Sequence, residues 1–203
     1  MDVNGRFVAG EGVTLPALDQ VHITLIPAES GGRPAQVSAP DAKGAFSAAN
    51  VLGPSHRVGV NGLGDKYYVK EIRIDGTAAP DGVVRLYQGS VLEIVIDEQP
   101  ASILGSVTER DKPFSEPLVF VAKWPSLAMA TGRPVTGDNS GQFQITGLEP
   151  GEYRVLAVPS RPLPDGQQIG QTMLGKLWSD AERVILERGG SKTVALKLSD
   201  PLR

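Results

Sequence analysis

The sequence predicts an all-β protein made of two tandem sandwich domains, with at most one short helix in the second. Three observations carry that expectation. Gly 24 and Pro 16 make up about a fifth of the 203 residues, which favours many short elements joined by tight turns over long helices. Apolar residues alternate with polar ones at period two in several short runs. The chain also repeats itself at a nearly constant spacing of about 100 residues.

The repeat is read from five matches in the same order. Val3-Asn4-Gly5-Arg6-Phe7-Val8 answers Ile103-Leu104-Gly105-Ser106-Val107-Thr108 at a shift of 100, and Gly32-Arg33-Pro34 recurs as Gly132-Arg133-Pro134 at the same shift. Asp41-Ala42-Lys43-Gly44-Ala45-Phe46 recurs as Asp138-Asn139-Ser140-Gly141-Gln142-Phe143 at 97. Pro54 and Arg57-Val58 answer Pro150 and Arg154-Val155, and Leu86 with Gly89-Ser90 answers Leu186 with Gly189-Gly190-Ser191. Two domains are therefore expected, residues 1–98 and 99–203. Their boundary falls in the polar stretch Asp97-Glu98-Gln99-Pro100, and residues 159–180 form a longer loop in the second domain.

Each repeat reads as strands separated by turn signals. Val21, Ile23 and Leu25 share one face of a strand. Val69–Ile74 alternates with a slip, and Val91–Ile96 is apolar enough for a buried strand. In the second repeat Leu118–Ala122, Gln142–Thr146, Tyr153–Val158 and Thr193–Leu198 do the same. Turns are expected at Asp41–Gly44, Asp75-Gly76, Asp81-Gly82, Asp138–Gly141 and Pro150-Gly151. The one short helix is placed within Thr172–Arg183.

Composition excludes several function classes. A net charge of −3 gives no electrostatic reason to expect nucleic acid or an anionic membrane. With no cysteine there are no disulfides, thiolate metal sites or Cys nucleophiles. No apolar run approaches the ~18–20 residues that would cross a bilayer, so no membrane insertion is expected. The opening MDVNGRFVAGEG carries neither the basic region nor the apolar stretch of a secretory leader. It reads equally as a cytosolic protein and as a mature or excised fragment.

The run Asp138-x-x-Gly141-x-Phe143-x-Ile145-x-Gly147-Leu148-x-Pro150-Gly151-x-Tyr153-x-Val155 resembles the signature of carboxypeptidase regulatory-like domains. These are transthyretin-like (prealbumin-like) sandwiches, close to the B-type repeats of bacterial surface adhesins. Leu104–Pro113 resembles the same family's first strand and turn. The first repeat keeps Asp41, Gly44, Phe46 and Pro54 but has Ser55-His56 where the family prefers Gly and Tyr. The resemblance implies a prealbumin-like or Ig-like sandwich, in two copies, from an extracellular or cell-envelope protein of bacteria. The implied function is a non-catalytic structural or protein-interaction module; related starch-binding-like sandwiches give carbohydrate binding as the alternative. The signature also has a direct physical meaning. Asp–x–x–Gly is a turn in which Asp caps amides and Gly supplies a positive φ, and Phe143, Ile145, Tyr153 and Val155 then alternate inward.

Candidate sites are few. His22 and His56 lack any metal-ligand spacing, so His22 is expected to face solvent on its strand and His56 to sit in a turn. Iron ligands like those of the intradiol dioxygenases that share the prealbumin-like fold are missing. Tyr87-Gln88-Gly89-Ser90 differs from the Tyr-Arg-Gly-Ser ending of hydroxyisourate hydrolases and reads as a turn. Asp138–Gly141 lacks the acidic positions of a calcium loop. No nucleophile elbow, phosphate loop or Ser-His-Asp set is present. No catalytic residue, cofactor or metal is therefore expected. Exposed aromatics remain as candidates for ligand contact, namely Trp124, Tyr67 and Tyr68, while Trp178 is read as a plug that seats its own segment. The polar stretch Pro159–Gln171 is the expected place for partner-specific contacts. Partners are expected to be other protein domains or carbohydrate, and the chain is expected to be a monomer.

Overall fold

The computed structural model describes residues 1–28, 33–79, 82–129, 134–160 and 175–199. The chain divides into two compact units, Met1–Pro100 and Ala101–Arg203, and each is a β-sandwich. Unit 1 contains β1 (Val3–Ala9), β2 (His22–Pro27), β3 (Gln36–Val37), β4 (Ala45–Ala49), β5 (Ser55–Asn61), β6 (Tyr67–Ile74), β7 (Thr77–Ala78), β8 (Val83–Arg85) and β9 (Val91–Glu98). One sheet runs β3-β4-β1-β9-β6-β7 and the other β2-β5-β8. Inward positions recur at every second residue. Val3, Phe7, Phe46, Leu92, Ile94 and Ile96 from the first sheet meet Ile23, Leu25, Val58 and Val84 from the second in one core. The slip expected in Val69–Ile74 is a bulge in β6, where the pairing with β9 shifts between Val69 and Glu71.

Unit 2 contains β10 (Ala101–Glu109), β11 (Lys112–Pro113), β12 (Leu118–Lys123), β13 (Ala128–Met129), β14 (Val135–Thr136), β15 (Gln142–Leu148), β16 (Gly151–Val158), β17 (Glu182–Leu186) and β18 (Ser191–Lys197). In one sheet β10 is central, with β15 and β11 on one side and β18 on the other. In the second, β12 pairs with β16 and β16 with β17, while β13 and β14 line the far side of β12. Ile103, Val107, Phe143, Ile145 and Leu196 face Val119, Val121, Tyr153, Val155 and Val184 across the core.

The helical expectation is trimmed by this pairing. Residues 175–177 are α-helical and continue into a 3₁₀ turn at Trp178–Asp180, whereas Glu182 and Arg183 already belong to β17, drawn into strand by the ladder with β16. That turn carries Trp178 onto the outer face of β12 and β16, where it packs with Phe120, Leu156, Val158 and Ala181. The outer face of this sheet is thus covered around Leu156 and Val158. In each unit, the first and last strands pair parallel, β1 with β9 and β10 with β18, whereas the remaining ladders are antiparallel.

The two Asp–x–x–Gly turns have the same atomic construction. Asp41 Oδ1 accepts the amides of Lys43 and Ala45, each at 2.8 Å, and Asp138 Oδ1 accepts those of Ser140 and Gln142, also at 2.8 Å. Gly44 (φ 84°) and Gly141 (φ 75°) take the left-handed conformation that closes each turn. Their carbonyls then accept Phe7 N–H and Val107 N–H, each at 2.9 Å, tying the turns to β1 and β10. A second shared device sits beside it. Gly5 lies opposite Phe46, and Gly105 opposite Phe143; the missing side chain lets the aromatic ring lie across the strand.

Two stability measurements follow from these devices. Asp138→Ala removes two charge-assisted bonds to amides and is expected to lower stability by about 1.5–3 kcal/mol in a denaturant titration. A Cβ at position 5 would overlap the Phe46 ring, so Gly5→Ala is expected to cost about 1–3 kcal/mol. The same substitution should cost less in a Phe46→Leu background, because the closest clashes are with that ring; additivity in the double-mutant cycle would show the explanation to be wrong.

Candidate functional site

The aromatic candidates separate once folded. Tyr68 is 4% exposed and lies opposite Asp97 on β9, so its ring is not at the surface. Its neighbour Tyr67 points to the other face and packs partly buried against the unit 1 core. That split follows from the period of a strand, which sends adjacent side chains to opposite faces. Trp124 alone of the three remains well exposed, at 42%. Trp178, by contrast, is buried on its sheet.

Trp124 follows the last residue of β12, and its amide donates to the carbonyl of Glu152 at 2.9 Å. The Trp124–Pro125 peptide is cis. Because Tyr153 and Val155 of β16 face the core, Glu152 and Arg154 face outward beside the indole. The Arg154 guanidinium lies 4.8 Å from the centre of the Trp124 ring, in cation–π contact. Arg183, directly across the ladder from Arg154, donates Nη2–H to Glu152 Oε2 at 2.9 Å. Lys123 pairs with Glu149 nearby, and exposed Ile185 lies opposite Glu152. The result is a flat patch of one indole, two guanidinium groups and one carboxylate on the outer face of the unit 2 sheet. It offers stacking and hydrogen bonding. Its Glu152 carboxylate is already engaged by Arg183.

The sequence reading did not single out Arg154, Glu152 or Arg183. The available signal was the alternation of β16: once Tyr153 and Val155 are inward, Glu152 and Arg154 must share the outward face with the end of β12. Arg183 needed the tertiary ladder, since no local pattern places β17 beside β16.

The histidines do not come together. His22 faces solvent on β2, opposite Asn61 at one end of the β2–β5 ladder. His56 corrects the expectation of a turn residue: it lies in β5, fully buried, at the other end of that ladder opposite Pro27. Its place is that of Tyr153 in unit 2, since His56 pairs with Val84 of β8 as Tyr153 pairs with Val184 of β17. The Tyr153 hydroxyl donates to the Glu149 carbonyl at 2.8 Å. Among the described residues, neither nitrogen of the His56 imidazole has a hydrogen-bond partner.

Other polar candidates have structural duties. Asp75 Oδ1 accepts the Val91 amide at 2.8 Å, and Asp97 pairs with Lys70 at 2.8 Å, so these two carboxylates serve separate roles; Asp81 lies outside the described residues. Tyr87–Ser90 forms the expected turn, with Ser90 N–H donating to the Tyr87 carbonyl at 3.1 Å and Tyr87 N–H to Ser90 Oγ at 3.1 Å. Among the described residues, no group of three His, Asp or Glu side chains is placed to hold a metal ion. An open groove of about 590 Å³ runs between β16, the 3₁₀ turn and β18, with Leu156, Leu177 and Leu196 below and Asp180, Glu182 and Lys197 at its rim. Of the Pro159–Gln171 stretch, only Pro159 and Ser160 are among the described residues.

No family model matches the chain, and no curated protein matches it. Solved structures do. The TIE protein of Bacillus anthracis aligns with 98% of this chain and 33% of its own, at 11% identity and a TM-score of 0.32. The minor pilin GBS52 of Streptococcus agalactiae aligns over 97% of this chain and 94% of its own, at 13% identity and a TM-score of 0.32. A streptococcal ancillary pilin aligns over 98% and 62%, at 16% identity and a TM-score of 0.33. The chain thus spans a third of the first and under two thirds of the last. At these scores the likeness carries no family and no function.

The His56–Tyr153 difference gives a paired measurement. Tyr153→Phe is expected to lose about 1 kcal/mol with its hydrogen bond. His56→Leu replaces a buried, unpartnered polar ring by an apolar side chain, and the denaturation midpoint of unit 1 is expected to hold or rise. A large drop for His56→Leu would mean that the imidazole is hydrogen-bonded in solution.

Proposed function

We propose that the chain is a pair of non-catalytic structural modules, two tandem copies of a transthyretin-like sandwich related to the carboxypeptidase regulatory-like domains. The setting proposed is the bacterial cell envelope or the secreted medium, with other protein domains as partners. One observation carries the reading: the side chains of the repeated signature all serve the fold. Asp41 and Asp138 close turns, Phe46 and Phe143 cover Gly5 and Gly105, and the Tyr153 hydroxyl ties its strand to Glu149. The two histidines lie at opposite ends of one ladder.

Carbohydrate binding stands as the second reading because Trp124 is exposed and framed by Arg154. Tyr68 cannot extend such a platform, being buried. A glycan array run with the wild-type chain and with Trp124→Ala separates the two. The structural reading expects no signal that depends on Trp124. A glycan bound by the wild type and lost in Trp124→Ala, with the circular dichroism spectrum retained, would replace it with a carbohydrate-binding module.

A further inference from the structure

The first and last strands of each unit lie side by side and run in the same direction. In unit 1 the ladder holds six register pairs, from Asn4 opposite Val91 to Ala9 opposite Ile96, and Gly10 N–H extends it by donating to the Ile96 carbonyl at 2.8 Å. In unit 2 it holds seven, from Ser102 opposite Ser191 to Thr108 opposite Lys197. That ladder is prolonged at both ends, by Ser102 N–H to the Gly190 carbonyl and by Leu198 N–H to the Thr108 carbonyl, each at 2.9 Å.

This arrangement decides how tension acts. A force that enters at the start of the first strand and leaves at the end of the last pulls the two strands along their own axes in opposite directions. The whole ladder is then loaded at once. Had the strands been antiparallel, the same force would have opened the ladder one rung at a time, and a single rung is weak. Sliding is opposed by the core as well. A slip of one residue would turn every inward side chain outward, and a slip of two would drag Phe7, Ile94 and Ile96, or Ile103, Val107 and Leu196, past their packed neighbours. In unit 1 the Arg6–Glu93 ion pair also spans the ladder, with Nε to Oε1 at 3.0 Å, and β6 holds the far edge of β9 through seven further register pairs.

We propose that each unit is a tension-bearing module whose paired terminal strands form a shear clamp. The proposal deepens the structural reading above and rests on it. Resistance to force is a kinetic property of the clamp and is read separately from equilibrium stability.

Single-molecule force spectroscopy on the full chain tests it. With no native cysteine, attachment points are placed at will. Handles at the two chain ends load both clamps in shear. Handles at Asn4→Cys and Val91→Cys, which are exposed partners facing each other at one end of the unit 1 ladder, peel that same ladder rung by rung. The clamp predicts two ruptures in the first geometry, both at forces several-fold above the unit 1 rupture in the second. Equal rupture forces in the two geometries would overturn it. Should the Asn4→Cys/Val91→Cys variant melt early, Ser102→Cys with Ser191→Cys makes the same comparison in unit 2. Low forces in both geometries would remove the clamp and leave the non-catalytic reading intact, whereas a Trp124-dependent glycan would change that reading without touching the force comparison.

Discussion

Each sandwich is closed by the ladder between its first and last strands. β1 meets β9, and β10 meets β18, only after nearly the whole unit has been threaded between them. Until that ladder forms, the larger sheet of unit 1 has no centre, because β1 and β9 are its two middle strands. The cost of closing so long a loop is chain entropy, which grows slowly with length but must be met before the contacts form. Apolar burial offsets it: Phe7, Leu92, Ile94 and Ile96 come together in unit 1, as Ile103, Val107 and Leu196 do in unit 2.

The local devices make that closure specific. The Asp-capped turns before β4 and β15 present the next strand in one register, and the glycine at the centre of β1 or β10 accepts the aromatic ring of that strand. Register errors are then penalised twice, once by the lost ring contact and once by the reversal of inward and outward faces. The same parsimony leaves little for chemistry. Buried polar groups are few, and the best surface patch, around Trp124, is built from side chains already paired with one another.

The units differ where the chain passes from the fifth to the eighth strand in unit 1 and from β16 to β17 in unit 2. In unit 1 this passage is the β6–β7 hairpin, and β6 covers the outer edge of β9. In unit 2 the described part includes a short helical segment, residues 175–180, whose final 3₁₀ turn sets Trp178 on the outer face of the second sheet. Among the described residues no strand pairs with the outer edge of β18. One framework thus supports a covered edge in one copy and a covered face in the other.

The sequence by itself determined the all-β class, the strands with clear alternation, and both Asp–x–x–Gly turns. These depend on neighbours one to four residues away, so period and turn chemistry encode them directly. Even the slip in Val69–Ile74 was legible, because a bulge breaks the alternation that reveals the strand. Tertiary structure decided what no local pattern holds. It alone made the terminal pairing parallel, buried His56 in a position that Tyr153 fills with a hydrogen bond, buried Tyr68 on the face of β6 opposite to Tyr67, and set Arg183 beside Arg154. Each of those outcomes depends on which distant strand lies alongside. That choice is made by burial summed over a whole sheet, and no window of sequence contains it.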